Sequence, residues 1–239
     1  MYYKYPRTYH FKWSPGATSD DKILKDTKHF EGKQVVVLEK RDGENTTIYQ
    51  DKSHARSIDS KDHFSRHYVK QLQGKIGHLI PDQWRICGEN LQYCKSIYYD
   101  NLPDFFEVFS IWAEDNVAIS WNHTLDWCDL LGLSTVPEIW RGEWDEELIK
   151  NIPLDFSKQE GYVVRLLDAF HYDDFSKSVA KMVRKGHVQT SEHWMHQQLI
   201  PNKLKAQIIC PNCGSNKTKV CGNGRICGDC DEIDLGDDL

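Results

Sequence analysis

The alternation of apolar and polar positions divides the chain into short strand-like runs and a few helical stretches. The run "QVVVLEK" at 34–40 carries Val35, Val36, Val37 and Leu38, an apolar, mostly β-branched series of strand length. Asp42-Gly43 then gives a strong turn signal, and Thr46-Thr47-Ile48-Tyr49 resumes strand chemistry. Residues 34–40 and 45–50 therefore read as a β-hairpin. Further strands are predicted at 83–89, 105–112 and 160–166. Helical patterns fall near 61–72, 121–132 and 143–151, the last opening on Glu143, Asp145 and Glu146, which suit the positive end of a helix. A fourth helix is predicted over 173–185. Strands that do not alternate regularly with helices predict an α+β fold of antiparallel sheets flanked by helices, not a doubly wound parallel sheet.

At 239 residues, with 39% hydrophobic and 12% aromatic content, the chain fits one large folded domain with a small appendage. No apolar run is long enough to cross a bilayer, and "MYYKYPRTYHFKW" is not a charged-then-apolar leader. The expectation is a soluble cytoplasmic protein. The net charge of −6 argues against a nucleic-acid partner only until its distribution is considered. Asp229, Asp231, Glu232, Asp234, Asp237 and Asp238 crowd the last residues, and the rest of the chain is electrically balanced. Between Lys177 and Lys205 six cations face only Glu192, a local basic patch compatible with RNA. Five of the eight cysteines lie between Cys210 and Cys230. That clustering points to metal in a reducing compartment rather than to a secreted disulfide framework. The expected organisation is a catalytic-size domain over 1–200, a cysteine-rich module over 201–231 and a disordered acidic tail over 232–239.

One lysine stands out chemically. Lys40 ends the first strand two residues before Asp42-Gly43, where a lysine is ordinarily a solvated hairpin-end charge. The same residues spell K-x-D-G. A lysine nucleophile needs its amine neutral at the moment of attack, against an ordinary pKa near ~10.4. Attack on a nucleotide α-phosphate also needs cations around the phosphates, carboxylates for metal and ribose, and an aromatic for the base. Candidates for each follow in order: "HARSIDS" with Arg56, "RICGENLQYCKSIYYDNLP" with Gly88-Glu89, "FFEVFSIW", "EGYVVRL" with Glu160-Gly161, and "KSVAKMVRKGHVQTSEHW". Taken together these motifs resemble the ATP-dependent RNA ligases of the covalent lysyl-nucleotidyltransferase superfamily, from Tyr5-Pro6-Arg7 to about Trp194.

The resemblance implies a nucleotidyltransferase (ATP-grasp-like) domain and roles for particular residues. Lys40 would form lysyl-AMP, with Glu39 on the adenine side of the pocket and Arg56 on phosphate. Glu89 would contact ribose, and Phe106 would stack on the base, with Phe109 as the alternative if the register is shifted. Glu160 would serve the catalytic Mg2+ or Mn2+, and Lys181 the phosphates of ATP. The chain departs from the family pattern after Lys181, where Met182 and Val183 precede the next cations, Arg184 and Lys185. In a helix, Lys177, Lys181 and Lys185 would share a face and Lys185 would supply the second phosphate contact; in a strand that cation is displaced. Structural alternatives exist for the same side chains: Arg165 as an ion-pair partner of Glu160, Asp51 or Asp59 as partners of Arg56, and the phenylalanines as core. The histidines show no convincing metal spacing.

Cys210-x-x-Cys213 and Cys227-x-x-Cys230, thirteen residues apart, form a strong tetrahedral zinc pattern that resembles a zinc ribbon. Cys221 is a spare fifth thiol. Four thiolates leave no open coordination position, so the Zn2+ would be structural and would supply the module's folding energy. The implied function is sealing of RNA ends with ATP, with an end-healing enzyme as a candidate partner and no membrane. A DNA ligase or capping-type guanylyltransferase is the nearest rival, although too few residues follow Lys185 for the extra domain those enzymes carry. A catalytically silent RNA-binding protein that uses the ribbon is a third reading.

Overall fold

The computed structural model describes residues 1–186 and 199–206 in full, and 218–221, 224–227 and 233–235 by their backbone. It divides into two compact units, Met1–Lys203 and Leu204–Leu239. In the first unit the strands are β1 (Tyr9–His10), β2 (Gln34–Lys40), β3 (Glu44–Ile48), β4 (Ser53–Ala55), β5 (Arg85–Asn90) and β6 (Phe106–Trp112). They continue with β7 (Val117–Ala118), β8 (Ser134–Thr135), β9 (Glu138–Glu143), β10 (Gly161–Leu166), β11 (Phe170–His171) and β12 (Val179–Val183). The helices are α1 (His67–Ile76), α2 (Trp121–Leu131), α3 (Glu146–Lys150) and α4 (Phe175–Ser178).

The strands form two sheets. One has the order β1-β12-β10-β2-β9, antiparallel except for the β1–β12 pair. The other runs β11-β7-β6-β5-β3-β4, with β8 beside β6. The expected hairpin is therefore corrected: β2 and β3 belong to different sheets, and Arg41–Gly43 carries the chain across. Two contacts explain why this Asp-Gly does not fold back. The Asp42 carboxylate accepts from Ser96 N and Oγ, each at 2.7 Å, and from Ile97 N at 2.9 Å. Gly43 lies so close to strand β5 that a Cβ there would sit 2.5 Å from the Asn90 carbonyl oxygen.

Alternation along β2 buries both of its faces. Val35 and Val37 join Tyr162, Val164, Ala180 and Met182 in a core closed by Phe11 and Phe30 from the aromatic-rich N-terminus. Val36 and Leu38 pack with Trp121 and Val136 on the opposite side. A separate core holds Ile48, Ile86, Phe106, Val108 and Ile111 of the second sheet against Val69 and Ile76 of α1 and Cys128 of α2. α2 starts at Ser120, whose side chain accepts from His123 N, and stops at Gly132 in the left-handed region, φ 66°. α3 starts at Asp145, whose carboxylate accepts from Leu148 N, as its acidic entry predicts.

The predicted helix over 173–185 is corrected. Only Phe175–Ser178 is helical, and Val179–Val183 is a strand that pairs on both edges, with β10 and β1. Its β-branched Val179 and Val183 suit a buried central strand. In the second unit β13 (Thr218–Cys221), β14 (Gly224–Cys227) and β15 (Ile233–Leu235) form an antiparallel sheet. Residues 233–235, expected within a disordered tail, thus pair with β14, with Ile233 opposite Ile226. Cys210, Cys213 and Cys230 lie outside the described residues. No helix among the described residues is long and apolar enough to cross a membrane.

Candidate active site at the junction of the two sheets

The first sheet supplies the floor of a cleft of about 260 Å³. Leu38, Val163 and Lys181 are direct cross-strand partners on β2, β10 and β12, so their side chains leave the same face. Lys40 lies two residues along from Leu38 and shares that face. The second sheet closes over it with Glu89, Phe109 and Ser110, and Arg7 and Arg56 enter from loops. Sheet pairing, not sequence proximity, thereby brings Lys40 and Lys181 into one cavity.

Lys40 Nζ donates to Glu160 Oε2 at 2.5 Å, with Glu160 buried behind it. Burial works to lower the Lys40 pKa, but Glu160 and then Glu89 outweigh it and hold the amine above its ordinary range. The resting lysine is an ammonium. Glu160 is placed by the start of β10, where Gly161 has its α-carbon against the Met182 carbonyl oxygen and leaves no room for a Cβ. Glu89 accepts from Gly43 N at 3.1 Å. Burial pushes its carboxyl up to about 8, helped by the charges of Glu160 and Asp42 and opposed by Lys40. Lys181 moves the other way: burial, and then repulsion by Lys40, push it down to about 8. Arg56 is lowered by burial and by Arg7. Cations and carboxylates thus alternate around the cleft, with Lys40 on Glu160 and Arg7 on Asp21.

Glu39 lines the cleft in a fixed pose. Its two oxygens accept from Arg41 Nη1 at 2.6 Å and Gln159 Nε2 at 3.0 Å. Arg41 also donates to the fully buried Glu107 at 2.7 and 3.2 Å and lies over the Tyr99 ring. Tyr99 OH in turn accepts from Asp42 N. Every residue of the Lys40–Gly43 turn is held by a contact far away in sequence.

Two expected site residues lie elsewhere. Phe106 is fully buried in the core of the second sheet and does not reach the cleft; Phe109 does, with its ring edge-on to Tyr5. Phe106 and Phe109 stand three positions apart on β6 and so leave opposite faces, and a β-bulge at Phe109, where Cys87 pairs with Ser110 but Gly88 with Val108, brings Ser110 to the cleft as well. Phe106 instead fills the space above Gly88, where a Cβ would come within 2.5 Å of its ring. Lys185 is exposed beyond the end of β12 and is not part of the cleft wall, because the segment is a strand.

Arg165 does not pair with Glu160. It is buried, donates to the carbonyls of Ile119 at 2.7 Å and Phe109 at 3.3 Å, and burial lowers it to about 10. No ion pair joins Arg56 to Asp51 or Asp59 among the described residues. Sequence reasoning assigned no role to Arg7, Asp21 and Tyr5, which line the cleft; only Tyr5 and Arg7, at the start of the family resemblance, carried a hint. Among the described residues no group of three or more His, Cys, Asp or Glu forms a metal site by itself.

These residues fall within a family-wide match. The sequence profile of the RNA ligase family matches residues 33–183, which is more than half of the chain. The chain belongs to the RNA ligase family. Solved structures of Naegleria gruberi RNA ligase resemble it: one with pyrophosphate, at 19% identity and TM-score 0.45, covers 66% of this chain and 51% of that one. A variant with AMP and Mn, at 18% identity and TM-score 0.48, covers 67% and 52%. The chain thus spans about half the length of these ligases. No curated protein matches it.

Proposed function

We propose that the protein is an ATP-dependent RNA ligase that joins an RNA 5′-phosphate to a 3′-hydroxyl. The observation that supports this most is Lys40 paired with Glu160 at the edge of a cleft that also presents Glu89, Phe109, Arg56 and Lys181. Lys40 Nζ gives a proton to Glu160 and attacks the α-phosphorus of ATP, a P–N bond forms and pyrophosphate leaves. An oxygen of an RNA 5′-phosphate then displaces Lys40 from the AMP phosphorus, and the amine takes back a proton. A 3′-hydroxyl finally attacks the activated RNA phosphate and AMP leaves. Lys181 and Arg56 neutralise the phosphates, Phe109 offers its ring to the base, and Glu39 faces the base edge.

Glu160, with Glu89 nearby, offers hard oxygen donors of the kind Mg2+ or Mn2+ takes beside substrate phosphates. When bound, such an ion would spread the charge developing on the α-phosphate. Covalent transfer of label from α-phosphate-labelled ATP to the denatured chain tests the proposal, and label from GTP instead would favour a capping-type transferase.

The two faces of β6 separate two aromatic roles. Phe109→Ala is expected to raise the KM for ATP by roughly 5- to 100-fold, the worth of one base–aromatic stack, with little loss of stability. Phe106→Ala is expected to cost about 3–5 kcal/mol of folding stability by leaving a cavity. Paired ATP titrations and denaturant unfolding curves check both. An ATP effect from Phe106 but none from Phe109 would overturn the assignment.

We read the second unit as a structural zinc ribbon. The pairing of Thr218 with Cys227 and of Cys221 with Gly224 supports this. Cys227 stands at the open end of the β13–β14 hairpin, while Cys221 lies three residues along at the turn, roughly 10 Å away. Purified native protein is expected to hold one zinc per chain by elemental analysis. Cys213→Ser should lose it and Cys221→Ser should keep it; the reverse result would sink the ligand set. Free thiols at Cys87, Cys94 and Cys128 fit a reducing, cytoplasmic setting.

A further inference from the structure

Arg184 stands just past the end of β12. Its backbone N donates to the Glu160 carbonyl at 2.9 Å, so its α-carbon flanks the residue that pairs with Lys40. Its guanidinium reaches the other side of the Lys40 turn: Nη2 donates to Ser96 Oγ at 3.2 Å, and Ser96 in turn donates to Asp42. Arg41, Arg66 and Arg141 each pair with at least one carboxylate. Arg184 has no ion pair among the described residues, and its Nε is buried there without a hydrogen-bond partner. A guanidinium carries five donors in a planar fork, and this one makes a single hydrogen bond among the described residues. Such a fork suits the oxygens of a phosphate. Arg184 is not part of the cleft wall, where Arg7, Arg56 and Lys181 already stand.

We propose that Arg184 binds a phosphate of the RNA end that receives AMP, bringing that end to Lys40 across the Ser96 side of the turn. This rests on the ligase reading and adds a substrate contact to it. In the step concerned, an oxygen of the RNA 5′-phosphate attacks the phosphorus of lysyl-AMP. The P–N bond breaks, Lys40 leaves as the amine and is reprotonated, and a 5′–5′ pyrophosphate link is formed. Arg184 neutralises charge on the incoming strand.

The test uses the full chain in two single-turnover measurements: formation of lysyl-AMP from labelled ATP, and transfer of preformed lysyl-AMP to 5′-phosphorylated RNA. For Arg184→Ala the ratio of transfer rate to formation rate is expected to fall about 10- to 100-fold, the worth of a charged hydrogen-bonded contact. Arg184→Lys should recover part of the loss. The slope of log KM for RNA against log salt should flatten by about 0.7 in Arg184→Ala, one phosphate contact on a single strand. A mere prop for Ser96 and Asp42 would slow both steps together and leave the salt slope unchanged, which would overturn the proposal. If the native chain forms no lysyl-AMP at all, the ligase reading falls first. Normal formation with unaltered transfer in Arg184→Ala would overturn the Arg184 assignment alone.

Discussion

Lys40→Ala protein incubated with magnesium and α-phosphate-labelled ATP is expected to carry no label on the denatured polypeptide, whereas the native chain carries acid-labile label. The expected loss is complete, because the label is attached through the Nζ–P bond and no other lysine of the cleft occupies the same position. Lys181, the other cleft lysine, lies on β12 with the intervening strand β10 between it and β2. A fold control is needed for this variant. Removing Lys40 leaves Glu160 buried beside Glu89 without its counter-charge, and breaking a buried ion pair costs up to about 3–5 kcal/mol. Lys40→Arg separates the two effects. Arginine keeps the positive partner for Glu160 and cannot lose its proton, so it should fold like the native chain and still take no label. Label on Lys40→Arg, or none on native protein stripped of pre-bound AMP and tried with manganese, would sink the proposed chemistry. A folded, unlabelled native chain would leave a binding protein on a ligase fold.

The elements that local pattern could determine were legible. The apolar runs at 34–40, 105–112 and 160–166 became β2, β6 and β10, because a strand buried on both faces must be apolar almost throughout. α2 and α3 were readable from periodicity and from an acidic entry. Long-range pairing was not. Asp42-Gly43 looks like a hairpin turn until Ser96 and Ile97, more than fifty residues away, take up its carboxylate. Which face of β6 meets the cleft leaves no mark in composition, since Phe106 and Phe109 are equally apolar and stand on opposite faces. The segment 173–185 carries cations at four-residue spacing, yet the central position between β10 and β1 favoured a strand over helical propensity. The cleft's chemistry was legible only as a series of motifs in order. The electrostatic state of Lys40 was not: a nucleophile expected to need a lowered pKa rests with a raised one, because Glu160 and Glu89 face it directly.

That resting charge makes Glu160→Gln the more informative second variant. The isosteric amide keeps the shape behind Lys40 and removes one negative charge from the cluster. Burial then dominates at Lys40, and its pKa falls from the raised value. Glu89, held at about 8 partly by the Glu160 charge, falls as well. Both groups therefore lose their protons at lower pH in the variant. The acidic limb of the pH profile for lysyl-AMP formation is expected to move to lower pH. The rate at its plateau should drop by about 10²- to 10⁴-fold, because the carboxylate that accepts the lysine proton is gone. The linked stability effect runs opposite to that of a carboxylate with a lowered pKa. A lysine raised by its partner contributes stability below its unfolded pKa, near ~10.4, and loses it only as pH rises through the folded value. Stability differences between native and variant should thus be constant in the neutral range, as far as Lys40 is concerned, and shrink only at alkaline pH. A plateau loss with an unmoved acidic limb would mean that Glu160 serves the reaction without setting the charge of Lys40. A displaced limb with an undiminished plateau would remove Glu160 from the chemistry and leave it as the lysine's counter-ion alone.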